Sequence, residues 1–188
     1  MQMQQVHNLT PPELNQFVTL HYLILKESFL NNFGKNFLAI SYQTIVKSPN
    51  NICLILKDQG QIIGFLVATL DGDKFNHEVI SQNFFPLSKE ILKASFKKPQ
   101  LLIKIILWKL KKPSVKKIKP EVQFILVDPK YQGQGFGRKL IHELEQHLKR
   151  MKVPQYRVGT KADNHASNTF YQKLGFKLSY TDNFFGDN

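Results

Sequence analysis

Gln132-Gly133-Gln134-Gly135-Phe136-Gly137 stands between a run of strand composition, Glu121 to Val127, and a helical pattern carried by Leu140, Leu144, Leu148 and Met151. Glycines at such a junction let backbone N–H groups come close to a bound group, and the helix N-terminus behind them favours an anion. Arg138 and Lys139 add positive charge in the first turn. Several free N–H groups at the positive end of a helix suit a diphosphate. The same letters are part of a dinucleotide fingerprint, but that turn belongs to the first βα unit of a parallel sheet, with an acidic ribose ligand about 20 residues on. Here the turn comes late in the chain, and no βαβ array surrounds it. A merely flexible turn is the plainer alternative, which only the flanking sequence can remove.

Upstream, a first strand is expected around Gln4 to Leu9, followed by Thr10-Pro11-Pro12-Glu13, which has capping-box spacing and proline where a first helical turn tolerates it. Leu14, Val18, Tyr22, Leu25 and Phe29 recur at helical intervals, and Leu38, Tyr42 and Ile45 repeat the pattern after Gly34. Ile52 to Leu56 and Ile62 to Leu70 read as two strands of a tight hairpin closed by Asp58-Gln59-Gly60-Gln61. Residues 71–120 are less regular, with Asp71-Gly72-Asp73 as a turn, Pro86 and Pro99 as helix boundaries, and lysines throughout, so a basic helical insertion is expected there. Downstream, Tyr156 to Thr160 reads as a short strand, Asn164 to Leu174 as a helix and Lys177 to Thr181 as a last strand.

The last helix carries two stripes. Asn164, Ser167, Asn168 and Tyr171 fall on one side, whereas Ala166, Phe170 and Leu174 form an apolar one. One stripe packs and the other is free to face a site. Tyr171-Gln172-Lys173-Leu174-Gly175-Phe176 ends the helix with a glycine suited to the left-handed capping position and an aromatic that can return to the core. Taken alone, Tyr171 also fits an ordinary boundary residue with an apolar body and a polar tip.

Together these segments resemble the GCN5-related N-acetyltransferase (GNAT) superfamily, whose strand-turn-helix motif reads Arg or Gln, any, any, Gly, any, Gly or Ala. Gln132, Gly135 and Gly137 fill it. The resemblance extends over Val127-Asp128-Pro129 and Asn164 to Phe176, and more loosely over the whole element order outside residues 71–120. It implies a mixed α/β fold with a mostly antiparallel twisted sheet, splayed after the fourth strand, and helices on both faces. It implies acetyl-CoA as cosubstrate, held by the backbone of Ile125, Leu126 and Val127 along the pantetheine and by Gln132, Gly133, Gln134, Gly135, Phe136, Gly137 and Arg138 at the diphosphate. It further implies that Asn164 and Asn168 hydrogen-bond the cofactor arm and that Tyr171 protonates the departing thiolate.

Amine acetylation also needs a proton removed from the attacking nitrogen. Glu121 opens the strand that leads into the glycine turn, and its separation from Gln132 matches that of the catalytic glutamate in the histone-acetyltransferase branch of the family. A solvated strand-end charge is the bland alternative. Asp71, Asp73 and His77 compete for the role from the loop after the hairpin. An oxyanion donor is expected from a backbone N–H near Leu126 or Val127. No metal is required: His142 and His147 lie five apart on one helix, poorly aligned as a ligand pair. Cys53 sits in an apolar run with no base beside it and reads as a buried small residue.

Composition bounds the rest. A chain of 188 residues that is 42% hydrophobic is the size of one globular domain, and one domain over residues 1–188 is expected. One cysteine and the lack of a secretory signal pattern point to a reducing, cytoplasmic setting. The formal net charge of +12 attracts polyanions, so a basic nucleic-acid-binding module is carried as a rival. Against it, aromatics do not alternate with lysines as single-strand stacking platforms require. Lys97-Lys98-Pro99 and the lysines from Lys109 to Lys119 flank the apolar stretch Leu101 to Trp108. That segment suits a packed helix with a solvated face, a cap over the acceptor, a site for an anionic acceptor, or a peripheral membrane contact. The expected activity is transfer of acetyl to a primary amine of a small molecule, such as an amino sugar or sugar nucleotide. A protein N-terminus or lysine as acceptor, and a noncatalytic acyl-CoA-binding module, are the alternatives. A homodimer is a further expectation, since relatives often pair.

Overall fold

Alternation along the central strands dictates a sheet covered on both sides. In the computed structural model, which describes residues 1–110 and 119–181, β2 (Asn51–Asp58) and β3 (Gln61–Thr69) are buried along nearly their whole length. Successive side chains point to opposite faces. Cys53, Ile55, Phe65 and Val67 therefore enter one core, and Ile52, Leu54, Leu56, Leu66 and Ala68 enter another. The first core is closed by α1 (Pro11–Ile24) and α2 (Lys35–Lys47) through Phe17, Val18, Leu38, Tyr42 and Ile45. The second is closed by α6 (Phe136–Arg150) through Leu140, Ile141, Leu144 and Leu148, and by Tyr171 of α7 (His165–Lys173).

The sheet order is β1 (Gln2–Gln5), β2, β3, β4 (Glu121–Val127), β5 (Arg157–Val158). The first three pairings are antiparallel and the last is parallel. Gln59 and Gly60 both take positive φ, 46° and 80°, at the tip of the β2–β3 hairpin, as a two-residue turn with the right twist requires. Thr10 donates its backbone N–H to Glu13 Oε2 at 2.8 Å, so the expected cap forms at the head of α1. Between β3 and β4 run α3 (Gly72–Gln82), α4 (Phe84–Lys97) and α5 (Gln100–Leu110), the helices expected there. Residues 111–118 of the same expected segment lie outside the described residues.

The first and last strands depart from the sequence expectation. The first strand ends at Gln5 and not at Leu9, because Val6 and Leu9 turn into the core. The expected last strand, Lys177 to Thr181, is not a strand. β5 is only two residues long and offers no ladder on which it could pair. No helix among the described residues is long and apolar enough to cross a membrane.

The parallel pairing of β4 with β5 covers only Glu121 with Arg157 and Val122 with Val158. The β3–β4 register slips at the same place, where Val67 faces Phe124, Ala68 faces Val122 and Gln123 is the extra residue. Such a bulge bends its strand. From Gln123 to Val127 the outer edge of β4 has no strand partner among the described residues, which is the splay expected after the fourth strand.

Candidate active site

The glycine turn follows directly from the open edge of β4. Asp128 leaves the sheet with its N–H donated to the Ile63 carbonyl at 2.8 Å and accepts from the Lys130 N–H at 2.9 Å, which sets a short 3-10 turn over Pro129–Tyr131. The side chain of Gln132 then reaches back, donating from Nε2 to the Val127 carbonyl at 2.8 Å. Gln134 donates to the Lys130 carbonyl at 3.2 Å. These two bonds tie the turn to the strand end. Gly133 and Gly135 take φ of 76° and 81°, and nothing lies within 4 Å of where a Cβ would stand on either. Only glycine holds this backbone without strain while leaving the space above it open.

Lys139 is the first residue of this turn of helix whose N–H meets a carbonyl, that of Gly135 at 3.0 Å. The N–H groups from Gly133 to Arg138 have no acceptor among the described residues. A run of unspent donors at the positive end of a helix of 15 residues is an anion cradle. Arg138 and Lys139 are exposed beside it. The side chain of Phe136 is buried in the core, so only its backbone can serve a ligand. The diphosphate of acetyl-CoA fits this arrangement on donor number, sign and open space.

α7 lies across the start of α6. A Cβ on Gly137 would stand 3.1 Å from Cζ of Phe170, so this glycine permits the close approach of the two helices. Asn164 caps α7, accepting from the Ser167 N–H at 3.0 Å. Asn168 donates to the carbonyls of Lys161 and Ala162 at 3.2 and 3.0 Å. Both side chains therefore hold the entry to α7. Gly175, at φ 90°, ends the helix, and the Phe176 N–H bonds the Tyr171 carbonyl at 3.1 Å. Tyr171 is buried, with its ring 5.1 Å from Phe170 and 5.3 Å from Phe176. Burial pushes its phenol up to about 12, which keeps it protonated, and its hydroxyl has no hydrogen-bond partner among the described residues.

Glu121 sits at the other end of β4, roughly 20 Å from the glycine turn at ~3.3 Å per residue. Its Oε2 accepts from Nη2 of Arg157 at 2.5 Å, and the two side chains are 22% and 14% exposed. Arg157 also donates to the Tyr180 hydroxyl. The competing acids are engaged elsewhere: Asp71 caps α3, and Asp71 and Asp73 share Lys119 at 2.7 and 2.9 Å. The hydrogen bond from Lys119 holds the Asp71 carboxyl below its ordinary value. His77 is exposed. Cys53 is buried, and burial pushes its thiol up to about 12, away from nucleophilic use. No group of three or more candidate ligands for a metal ion occurs among the described residues.

The site residues thus fall into two groups joined by the open edge of β4, along which Ile125, Leu126 and Val127 lie. At one end is the cradle of residues 132–138, with α7 beside it; at the other is Glu121 with Arg157. Arg157 was not singled out by sequence reading. Its signal was the parallel register that sets it beside Glu121, which the order of elements does not reveal.

Comparison with known proteins bears on the family and the fold. The sequence model of the acetyltransferase (GNAT) family matches residues 20–176. A mycothiol acetyltransferase of Nocardiopsis dassonvillei is 37% identical over 62 residues, which span 33% of this chain and 19% of that protein. Among solved structures, an aminoglycoside 6'-N-acetyltransferase of Acinetobacter haemolyticus superposes with a TM-score of 0.63 at 13% identity, covering 100% of this chain and 99% of that one. An aminoglycoside N-acetyltransferase in complex with CoA superposes with a TM-score of 0.58 at 14% identity over 98% and 97% of the two chains.

Proposed function

The chain belongs to the GNAT acetyltransferase family, and from that premise we propose that it transfers acetyl from acetyl-CoA to a primary amine of a small molecule. The observation that carries the reading is the unspent run of N–H groups from Gly133 to Arg138 at the end of an open strand edge, with Tyr171 on the helix packed against it. Acetyl-CoA supplies the acetyl group as an activated thioester. Gly133 to Arg138 receive the diphosphate, and the backbone of Ile125, Leu126 and Val127 lines the pantetheine. Asn164 and Asn168 hold the start of α7 and reach the same arm by exchanging their local bonds.

The proton movements remain. Tyr171, protonated and unpartnered, donates to the sulfur as the thiol leaves. Glu121 accepts the proton of the attacking amine, with Arg157 holding the carboxylate until the cationic acceptor takes that place. The nitrogen sheds its second proton as the tetrahedral intermediate collapses, and that proton restores the Tyr171 phenol, so the net proton released leaves by way of Glu121. An amino sugar or sugar nucleotide is the acceptor class we favour. The aminoglycoside and mycothiol acetyltransferases among the similar proteins support a small-molecule acceptor. The test is thiol release from acetyl-CoA with amino sugars, amino-sugar nucleotides and a lysine peptide as separate acceptors. Release that depends on an amino sugar supports the proposal. Release with the peptide alone assigns a protein acceptor, and tight cofactor binding with no release from any amine contradicts catalysis.

A further inference from the structure

The helices between β3 and β4 carry a second surface, and α4 packs in the core on the side of the sheet away from α6 and α7. On α4, Leu87, Ala94 and Ser95 are buried, on the side that packs against α2. The opposite side of the helix bears Phe85, Lys89, Leu92, Lys93 and Phe96, at i, i+4, i+7, i+8 and i+11, so that they form one outward stripe. Phe85 is 83% exposed and Phe96 88%, values far outside what a folded chain leaves uncovered at a phenylalanine without reason. α5 continues the pattern after Pro99: Leu101 is buried, whereas Ile103 and Ile106 are 61% and 57% exposed and Lys104 stands between them.

The charges on this surface are of one sign. Glu90 is 14% exposed and is held by Lys93 at 3.0 Å, and Glu78 of α3 is bonded to Ser48. No carboxylate is therefore available to a partner on the outward side of α4, nor on α5 among the described residues. We infer that this face docks on an anionic lipid surface, with Phe85, Phe96, Ile103 and Ile106 entering the apolar layer and Lys89, Lys97 and Lys104 meeting the headgroups. Helices with large apolar side chains interleaved with lysines bind membranes in this way, lying in the interface without crossing it.

Charge complementarity selects this occupant over the others. A second copy of the chain would set lysine against lysine with no carboxylate between them. Nucleic acid would satisfy the lysines and could stack on Phe85 and Phe96, but it would leave the aliphatic Leu92, Ile103 and Ile106 in water, and the stripe carries no arginine fork for phosphate. An anionic bilayer satisfies both components at once.

Co-sedimentation with vesicles tests the inference and is independent of acetyl transfer. The wild type is expected to sediment with vesicles of phosphatidylcholine mixed with phosphatidylglycerol, less so as salt rises, and not with phosphatidylcholine alone. Phe85→Ser with Phe96→Ser should weaken retention by roughly tenfold or more. Lys89→Glu with Lys97→Glu should weaken it on the mixed vesicles by a similar factor. Both pairs of residues are exposed, so the thermal unfolding midpoint should stay unchanged in each variant, which separates lost docking from lost folding. Equal retention of the wild type and the phenylalanine variant would overturn the inference. So would failure to bind the mixed vesicles, whether accompanied by self-association or by binding to single-stranded RNA that the same variants abolish.

Discussion

Gly137 of α6 lies beneath the ring of Phe170 of α7, with room for a hydrogen and little more: a Cβ would meet Cζ at 3.1 Å and Cε2 at 3.3 Å. Because Tyr171 follows Phe170 on the same helix, the side chain at position 137 sets where the phenol stands. Gly137→Ala should be close to neutral in stability, since the ring edge can yield by a few tenths of an ångström while helix propensity improves. Gly137→Val should displace the ring, cost about 1–3 kcal/mol in urea unfolding and raise the KM for acetyl-CoA. An unperturbed KM in the valine variant would separate α7 from the cofactor.

Tyr171→Phe removes one hydroxyl from a buried ring and should leave cofactor affinity nearly unchanged. If the phenol protonates the leaving thiol, kcat falls by about a hundredfold or more. In the wild type, burial places the phenol at about 12, above its ordinary 10.0, so the alkaline limb of the kcat profile should not fall at an ordinary tyrosine value. Steady-state rates across pH for both proteins check this, and a kcat within twofold of wild type would remove Tyr171 from the chemistry.

The ion pair of Glu121 with Arg157 gives a third prediction. Glu121→Gln leaves a guanidinium that is 14% exposed with one anchor fewer, and should cost about 1–3 kcal/mol of stability. As base, Glu121 is needed only while the acceptor amine is protonated. The kcat/KM of the variant should therefore rise with pH toward that of wild type as the acceptor deprotonates. A constant ratio of the two across pH would confine Glu121 to a structural role.

His21 supplies a pH signature for folding. It is fully buried, its Nδ1 lies 2.7 Å from the Tyr42 hydroxyl, and its Nε2 is buried without a hydrogen-bond partner among the described residues. Among the described residues Tyr42 is the titratable group bonded to it, and Tyr42 in turn interacts with Cys53. Burial lowers the imidazole from 6.5 to about 4, so the folded chain keeps it neutral where the unfolded chain takes up a proton. Stability is therefore full above 6.5 and is lost as pH falls toward 4, by about 3 kcal/mol. Urea titrations at neutral and acidic pH should show this loss, and His21→Leu with Tyr42→Phe should reduce it. Glu13, held at about 2 chiefly by its bond to Lys57, acts in a lower window, between its ordinary 4.5 and 2.

Much of this was legible in the sequence where local chemistry decides the outcome. The hairpin tip, the cap at Thr10, the left-handed Gly175 and the core stripe of α6 all depend on neighbours within a few residues. What the sequence did not reveal depends on pairing between distant segments. β5 reads as five residues, from Tyr156 to Thr160, yet only Arg157 and Val158 meet β4, because the bulge at Gln123 turns that strand away. The last strand failed for want of a partner to pair with. The engagement of Glu121 by Arg157, and of Asp71 and Asp73 by Lys119, follows from the same long-range placement.

The central claim is that the glycine turn holds acetyl-CoA. Calorimetric titration of acetyl-CoA into the wild type and into Gly135→Trp tests it directly, because the indole would fill the open space above the cradle at a backbone φ of 81°. The account predicts saturable binding to the wild type and its loss in a variant that remains folded by circular dichroism. Binding of equal strength in both proteins, or none in the wild type, would contradict it.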